Sequence, residues 1–326
     1  MPEISILLPS RNEMFLARTI QDLLEHSETD IEIIVVLDGA WADPAVPQDP
    51  KVNIIYLPES IGQRSATSLA AKLAKGKYVC KVDAHTSYDQ GWDKKMLDGF
   101  KANGDKVTMV PVMRNLWVFD WKCYHCGWKK YQGPTPPKCE ACGKTDKIRR
   151  KMIWSGKHNP QSVSYCFDTD PHFQYFEDYK HREPFLTDKK TGFTETMSLQ
   201  GSFWMMSRER YLEYIPYREG LGSWGNEGLE MACKEWLSGG RVLVNHNTWY
   251  AHLFRTQGGN FGFPYVQSGK HVSRTKKRVK EMFWNMKAPN QIHPVSWLVR
   301  KFSPISWWTP EKIAELKARE KELNVI

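Results

Sequence analysis

The sequence contains no run of 18 apolar residues, so nothing in it reads as a membrane-spanning helix. Its first residues, MPEISILLPS, have no basic segment and no cleavage site, and they enter a strand at once. An intracellular, cytoplasmic protein is the expectation. Cysteine is too scarce and too unevenly placed for a disulfide framework: there are seven, an odd number, and four of them cluster. Acidic residues run short in one part of the chain only. Residues 1–100 carry 10 Lys/Arg against 15 Asp/Glu, whereas residues 101–326 carry 36 against 22. That basic excess suits a polyanionic partner, although a solvated basic surface would read the same way. Tryptophan, by contrast, is plentiful: 14 residues, most of them beyond residue 100. Aromatic and basic residues together suit stacking on either sugars or bases.

The first hundred residues alternate between strand and helix patterns. ISILLP (4–9), IEIIVVLDG (31–39), VNIIYL (52–57) and KYVCKV (77–82) are near-continuous apolar runs. Helical segments lie between them, from about Phe15 to His26 and from Ser65 to Ala74. Such alternation implies a mostly parallel sheet covered by helices on both faces. Ligands bind beyond the carboxyl ends of the strands in such sheets. Three polar strand ends fall there: Ser10-Arg11, Asp38-Gly39 and Asp83-Ala84-His85. In an extended chain residues i and i+2 point the same way, so Asp83 and His85 are spaced to offer an oxygen and a nitrogen to one cation. A strand-end Asp starting a turn beside a solvated His is the plainer alternative, and Asp38 likewise reads as a turn former.

Residues 104–195 read as irregular, basic and Trp-rich. Within them Cys123-x2-Cys126 and Cys139-x2-Cys142 have the spacing of a zinc ribbon, placed at 121–146. His125 is a substitute ligand or simply a knuckle residue. A closed four-thiolate site leaves no open coordination position and is therefore structural. The surrounding Lys129, Lys130, Lys138, Lys147, Arg149, Arg150 and Lys151 add a docking role to that of a staple. Regular structure returns at 196–284. LQGSFWMMSRERYLEYI (199–215) reads as strand then helix, with Met205 and Met206 as packing residues. A helix spans about Glu227 to Leu237, a strand follows at 241–244, and TQGGNFGFPY (256–265) is a Gly-rich loop. Basic (273–284) and charged (310–323) helical patterns close the chain, the latter within a tail at 285–326 that resembles no known segment.

These blocks, in this order, resemble the GT-A fold of nucleotide-sugar glycosyltransferases in the family-2-like group. The closest likeness is to the polypeptide N-acetylgalactosaminyltransferases. GKYVCKVDAHTSYDQGW resembles that family's strand leading into Asp-x-His, and SWGNEGLEMACKEWLSGGRVLV resembles its Trp-Gly-Gly-Glu-Asn-x-Glu helix. WYAHLFR resembles the segment bearing a third metal ligand and a phosphate-binding arginine. The likeness covers residues 4–100 and 197–284. It implies a donor-binding half at 1–103, an acceptor side at 104–195 and a catalytic half at 196–284. It further implies that Asp83, His85 and His252 hold Mn2+ (or Mg2+) against the diphosphate of a UDP-sugar, with a buried core histidine as the lesser alternative for His252. Arg255 would serve the phosphates and the chemistry, with Arg64 also reaching the donor. Pro9, Ser10, Arg11 and Glu13 fall where the family holds the nucleoside, and Asp38 where it contacts uracil or ribose. Trp224 would wall the pocket, Glu227 would orient hydroxyls with Glu230 bracing it, and residues 256–267 would close as a lid.

Two departures shape the functional expectation. Inverting relatives carry an Asp directly after the glutamate that opens the helix; here that residue is Gly228. The retaining polypeptide enzymes also lack an acid there, so retention is expected unless Glu227 is itself the base. A protein without the membrane anchor and lectin domain of the polypeptide enzymes is the expectation, with a zinc ribbon and its basic surround instead. By analogy with viral enzymes that glycosylate hydroxymethyl-pyrimidines, DNA is the expected acceptor, which gives a virus-encoded enzyme acting inside its host cell as one setting. A protein Ser/Thr hydroxyl and a glycan are alternatives. A nucleic-acid-binding protein on a degenerate transferase fold is the alternative of another class.

Overall fold

The computed structural model describes residues 1–218, 220–254, 265 and 269–323. The lid expected at 256–267, apart from Tyr265, and Arg255 lie outside the described residues.

The strands are β1 Ile4–Ser10, β2 Ile31–Asp38, β3 Val52–Leu57, β4 Tyr78–Val82, β5 Thr86–Tyr88 and β6 Val107–Cys123. They continue as β7 Lys129–Tyr131, β8 Ile148–Ser162, β9 Tyr165–Phe167, β10 Phe173–Tyr175, β11 Phe193–Glu195, β12 Phe203–Ser207 and β13 Arg241–His252. Helices α1 Leu16–His26, α2 Gln63–Leu73 and α3 Trp92–Asn103 cover the first half. The second half has α4 Glu183–Lys189, α5 Arg208–Arg218, α6 Glu227–Leu237, α7 Gly269–Trp284, α8 Val295–Phe302 and α9 Pro310–Glu322. None of the helices is long and apolar enough to cross a membrane, among the described residues.

The central sheet runs in the order β11-β13-β6-β12-β4-β1-β2-β3. Strands β4, β1, β2 and β3 are mutually parallel, as are β13 and β6, while β12 joins the two groups antiparallel to both. β1, β2 and β4 are buried along their whole length, as their Ile/Leu/Val runs dictate. Because these three are parallel, Ser10, Asp38 and Asp83 all come to one edge. β3, read from its apolar run as a further buried strand, is instead a half-exposed edge strand with Ile54 and Tyr56 in solvent. Met205 and Met206 are fully buried packing residues in β12.

The stretch at 104–195 is far more regular than its composition suggests. β6 is 17 residues long and β8 is 15, and they pair antiparallel as an arm growing out of the sheet, with β7 on the other side of β6. Burial of Val107 to Met113 in the sheet core fixes the inner part of β6. Its outer part, rich in Trp and Phe, packs as a second small core of Phe15, Leu116, Val118, Phe119, Trp121, Ala251 and Leu253. The four cysteines sit at the arm's tip.

Candidate active site

Three strand ends deliver the cluster at the centre of the site. Asp83 follows β4, and its N–H donates to the Ser202 carbonyl at 3.0 Å. His85 stands one alternation further on, just before β5. His252 ends β13, where it pairs with Thr86 of β5 on one side and Asn115 of β6 on the other. One ligand atom from each of Asp83, His85 and His252 lies within 4.8 Å of the others. Asp83 Oδ2 faces both rings, 3.2 Å from His252 Nε2 and 3.8 Å from His85 Nε2.

The donor set fits a divalent cation. His85 Nδ1 lies 3.0 Å from Glu13 Oε2, so the far ring nitrogen is held by a carboxylate while Nε2 points at Asp83. Such a carboxylate behind the ring is what orients a metal-binding histidine. Burial pushes His252 down to about 4, against the pull of Asp83, and so keeps its ring neutral as a ligand must be. For Asp83, burial would raise the carboxyl, but the Lys81 charge and the hydrogen bond with His252 outweigh it and hold the group well below its usual range.

Lys81 was not singled out from the sequence, where it reads as one polar residue inside an apolar strand. It is completely buried. Its ammonium donates to Asp83 Oδ1 at 2.5 Å and to the Gly201 carbonyl at 2.6 Å, and lies 3.4 Å from Glu227 Oε2. Burial opposes its charge, yet Asp83 and Glu227 together keep it protonated. Lysine is almost never fully buried unpaired, so an isolated Lys two residues before the strand-end Asp is the signal that sequence reading could have used.

Glu227 opens α6 beside this lysine. Its Oε1 accepts from Arg218 at 3.2 Å and from the Trp204 indole at 3.4 Å. Burial would raise its carboxyl, but the charges of Lys81 and Arg218 win and lower it. The next residue, Gly228, has no room for a side chain. A Cβ there would lie 1.9 Å from the Leu199 carbonyl oxygen and 2.9 Å from Gly201 N. An acid at this position would require the 199–201 loop to move.

A cavity of about 550 Å³ opens over these groups. Pro9, Ser10, Arg11 and Glu13 line one side, Trp224 and Glu227 another, with Asp83, His85 and His252 at its base and Tyr265 and Lys276 toward its mouth. Three expected contacts are placed elsewhere. Arg64 does not line the cavity: it is buried and ion-paired to Glu230 at 2.8 Å, and its remaining donors go to the Gly222 and Gly225 carbonyls. These contacts brace the loop carrying Trp224. Glu230 is fully buried between Arg64 and Arg218, 2.5 Å from the latter. Asp38 is fully buried too, its carboxylate accepting from Ser60 Oγ, Ile61 N and Gly62 N at 2.8, 2.6 and 2.9 Å. These bonds tie down the turn ahead of α2.

The four thiols form a second centre. Cys123 Sγ is 3.7 Å from Cys142 Sγ, and Cys126 Sγ is 3.6 Å from Cys139 Sγ. Four sulfurs about 2.3 Å from a tetrahedral zinc stand roughly 3.8 Å apart, so the cage fits that ion. Disulfide sulfurs would be about 2.05 Å apart, and all four residues are free thiols. His125 is placed near Lys144, 3.3 Å from its Nζ. The cysteine cluster comprises the four sulfurs without it.

A parallel sheet with its site at the carboxyl edge, joined by an antiparallel strand to a second half that returns a histidine to the first, defines a GT-A-like glycosyltransferase fold. Residues 5–214 match the family described as Glycosyl transferase family 2, and the chain belongs to that family. It is distantly related to polypeptide N-acetylgalactosaminyltransferases. It is 23% identical to a putative polypeptide N-acetylgalactosaminyltransferase 13 of Drosophila melanogaster over 92% of this chain and 56% of that protein. It is 24% identical to a probable N-acetylgalactosaminyltransferase 6 of Caenorhabditis elegans over 87% of this chain and 42% of that protein. The chain thus spans about half the length of these curated relatives. A crystal structure of GalNAc-T7 with UDP, GalNAc and Mn2+ shares the fold, with a TM-score of 0.61 at 17% identity, covering 98% of this chain and 55% of that one.

Proposed function

We propose that the protein transfers a sugar from a UDP-sugar to a hydroxyl group, with hydroxymethyl-pyrimidine in DNA as the acceptor and retention of configuration. The observation that carries the transferase reading is the convergence of Asp83, His85 and His252 at the base of a cavity edged by Pro9 to Glu13. Those three residues would hold a divalent cation, Mn2+ or Mg2+. When bound, such an ion supplies positive charge against the departing diphosphate. Arg11 and the Pro9-Ser10 backbone form the nucleoside side of the cavity, and Trp224 forms the sugar wall. Arg255, expected on the phosphates, and the lid belong to the same reading.

Glu227 supports retention. A general base works best with a pKa near the operating pH, whereas Glu227 is held ionised by two cations and lowered below the ordinary glutamate. It suits orienting a hydroxyl better than removing its proton. The packing at Gly228 supports the same conclusion, because the position used by inverting relatives is sterically closed. For the acceptor, the support is the basic arm and its four-thiolate tip, which fits structural zinc. A hydroxymethyl group offers a primary hydroxyl, and its base would leave the stack to enter the cavity.

The test is UDP release from a panel of UDP-sugars with Mn2+, comparing hydroxymethyluracil and hydroxymethylcytosine DNA, unmodified DNA and a Ser/Thr peptide. Release stimulated by hydroxymethylated DNA alone is expected. His252→Ala should lower it roughly a thousandfold, about 4 kcal/mol of lost charge stabilisation. Stimulation by peptide alone moves the acceptor to protein. Metal-independent DNA binding without any UDP binding overturns the transferase reading in favour of a binding module.

A further inference from the structure

We infer that the outer face of the β6–β8 arm is a docking track for the sugar-phosphate backbone flanking the acceptor nucleotide, built on a cross-strand row of Lys129, Lys122 and Arg149. This inference rests on the nucleic-acid acceptor proposed above and assigns it a second, distant contact.

The row follows from strand register. Lys122 of β6 is directly opposite Lys129 of β7 on one side and Arg149 of β8 on the other. Residues directly opposite in antiparallel strands share a face, and like charges so placed repel. Three cations therefore stand abreast, about 10 Å from end to end at roughly 4.8 Å between strands. Two neighbouring cations are neutralised, Lys130 by Glu140 at 2.5 Å and Lys147 by Asp146 at 3.3 Å. Lys122, Lys129, Arg149 and the adjacent Lys151 form no ion pair among the described residues. Lys129, Arg149 and Lys151 are exposed and Lys122 is half-buried. A row of like charges with no acidic partner, its Lys122 ammonium 4.9 Å from the Tyr124 ring centre, has the chemistry of a polyanion contact.

The rest of the face agrees. The next row places Tyr131, Asp120 and Lys151 abreast. Asp120 is the one acid there, nearly buried, and it accepts from the Trp117 indole at 2.9 Å. Tyr131 is 44% exposed, packs edge-on to Trp117, and carries the Lys157 ammonium 4.1 Å from its ring centre. An exposed ring among cations offers a stacking platform as well as charge. The opposite face is already occupied: Phe119 and Trp121 pack toward Phe15, and Arg150 reaches Met14, next to Glu13 of the cavity.

Reach sets the size of ligand. Asn115 of β6 is the register partner of His252, and the strand runs on to Lys122 through register irregularities against β8 at Arg114/Leu116 and Trp117/Phe119. At a maximum of roughly 3.4 Å per residue the row lies up to about 24 Å out along the strand. A duplex advances about 3.4 Å per phosphate on each strand, so the row meets backbone up to about seven nucleotides from the base in the cavity.

The experiment compares the intact chain with the triple variant Lys122→Gln/Lys129→Gln/Arg149→Gln, with zinc content and thermal melting confirming the fold, and with Arg149→Glu as an independent single change. Hydroxymethylated DNA is supplied as duplex and as single strand, extending either 3 or about 12 nucleotides on each side of the modified base. Binding and transfer are followed from low to high salt. With long DNA, the triple variant should flatten the slope of log affinity against log salt by about 2.7 for duplex or about 2.1 for single strand, at 0.9 or 0.7 per phosphate contact. The advantage of long over short DNA should shrink in both variants. Transfer to DNA with unchanged slopes and unchanged length dependence overturns the docking track while leaving the acceptor proposal standing. Loss of slope without transfer to any DNA keeps the track and overturns the acceptor. Absence of both DNA binding and transfer overturns both.

Discussion

The cavity and the arm are held together by different physics, although one strand runs through both. Around the cavity, the central charged groups among the described residues have fixed partners. Asp83 is gripped by Lys81, His85 by Glu13, Glu227 by Lys81 and Arg218, and Glu230 by two arginines. Lys81 and Asp83 belong to the end of a wholly buried strand, and Glu227 and Glu230 to the first turn of a helix packed against the same sheet. The arm has little apolar surface to bury beyond Phe119, Trp121 and their neighbours, and its tip depends on four thiols. Preorganised charge needs a rigid, dry surround; reach toward a large partner does not. A small metal site therefore suffices where a core would not fit.

That contrast can be broken at its strongest point first. Glu230→Ala leaves Arg64 and Arg218 buried without their shared carboxylate, and should lower the unfolding free energy by about 3–5 kcal/mol in urea titration. A loss near zero would mean that the cavity wall does not depend on this network. Next, Glu13→Gln removes the carboxylate behind His85. Mn2+ affinity, read by titration calorimetry, should weaken about 10–100-fold while the zinc content stays the same. Unchanged affinity would assign the ring's orientation to its backbone, whose carbonyl accepts from Leu253 N. The smallest effect is expected from stripping zinc with a chelator. Hydrogen exchange should accelerate at the tips of β6, β7 and β8, with UDP binding altered by less than about 0.5 kcal/mol, as for distant independent sites. A collapse of UDP binding on chelation would erase the distinction between the two regions.

What the sequence revealed follows the same division. β1, β2 and β4 were legible because their apolar runs answer to one cause, burial on both faces. Helix α6 was legible in register, from Glu227 to Leu237, because its core-facing residues repeat at helical spacing. The cysteine spacing announced its cage. The arm stayed hidden because its outward positions are Lys and Arg and its strands are long, so no apolar alternation survives in β8. The buried pairings of Arg64, Glu230 and Asp38 were also invisible. Their partners lie as far as 166 residues away in the chain, and a charged residue near a motif looks the same whether it faces a ligand or a neighbour. Lys81 was hidden for the opposite reason, being a polar residue inside an apolar run that reads as an interruption.

The tight contact at Gly228 has a consequence for how this chain can change over evolutionary time. Because any Cβ there collides with backbone and not with a yielding side chain, no single codon change can test an acid beside Glu227. A lineage moving toward that arrangement has to relocate the 199–201 segment first, at a stage when the move brings no advantage. The glycine thus couples the identity of this one position to the path of a separate segment of backbone.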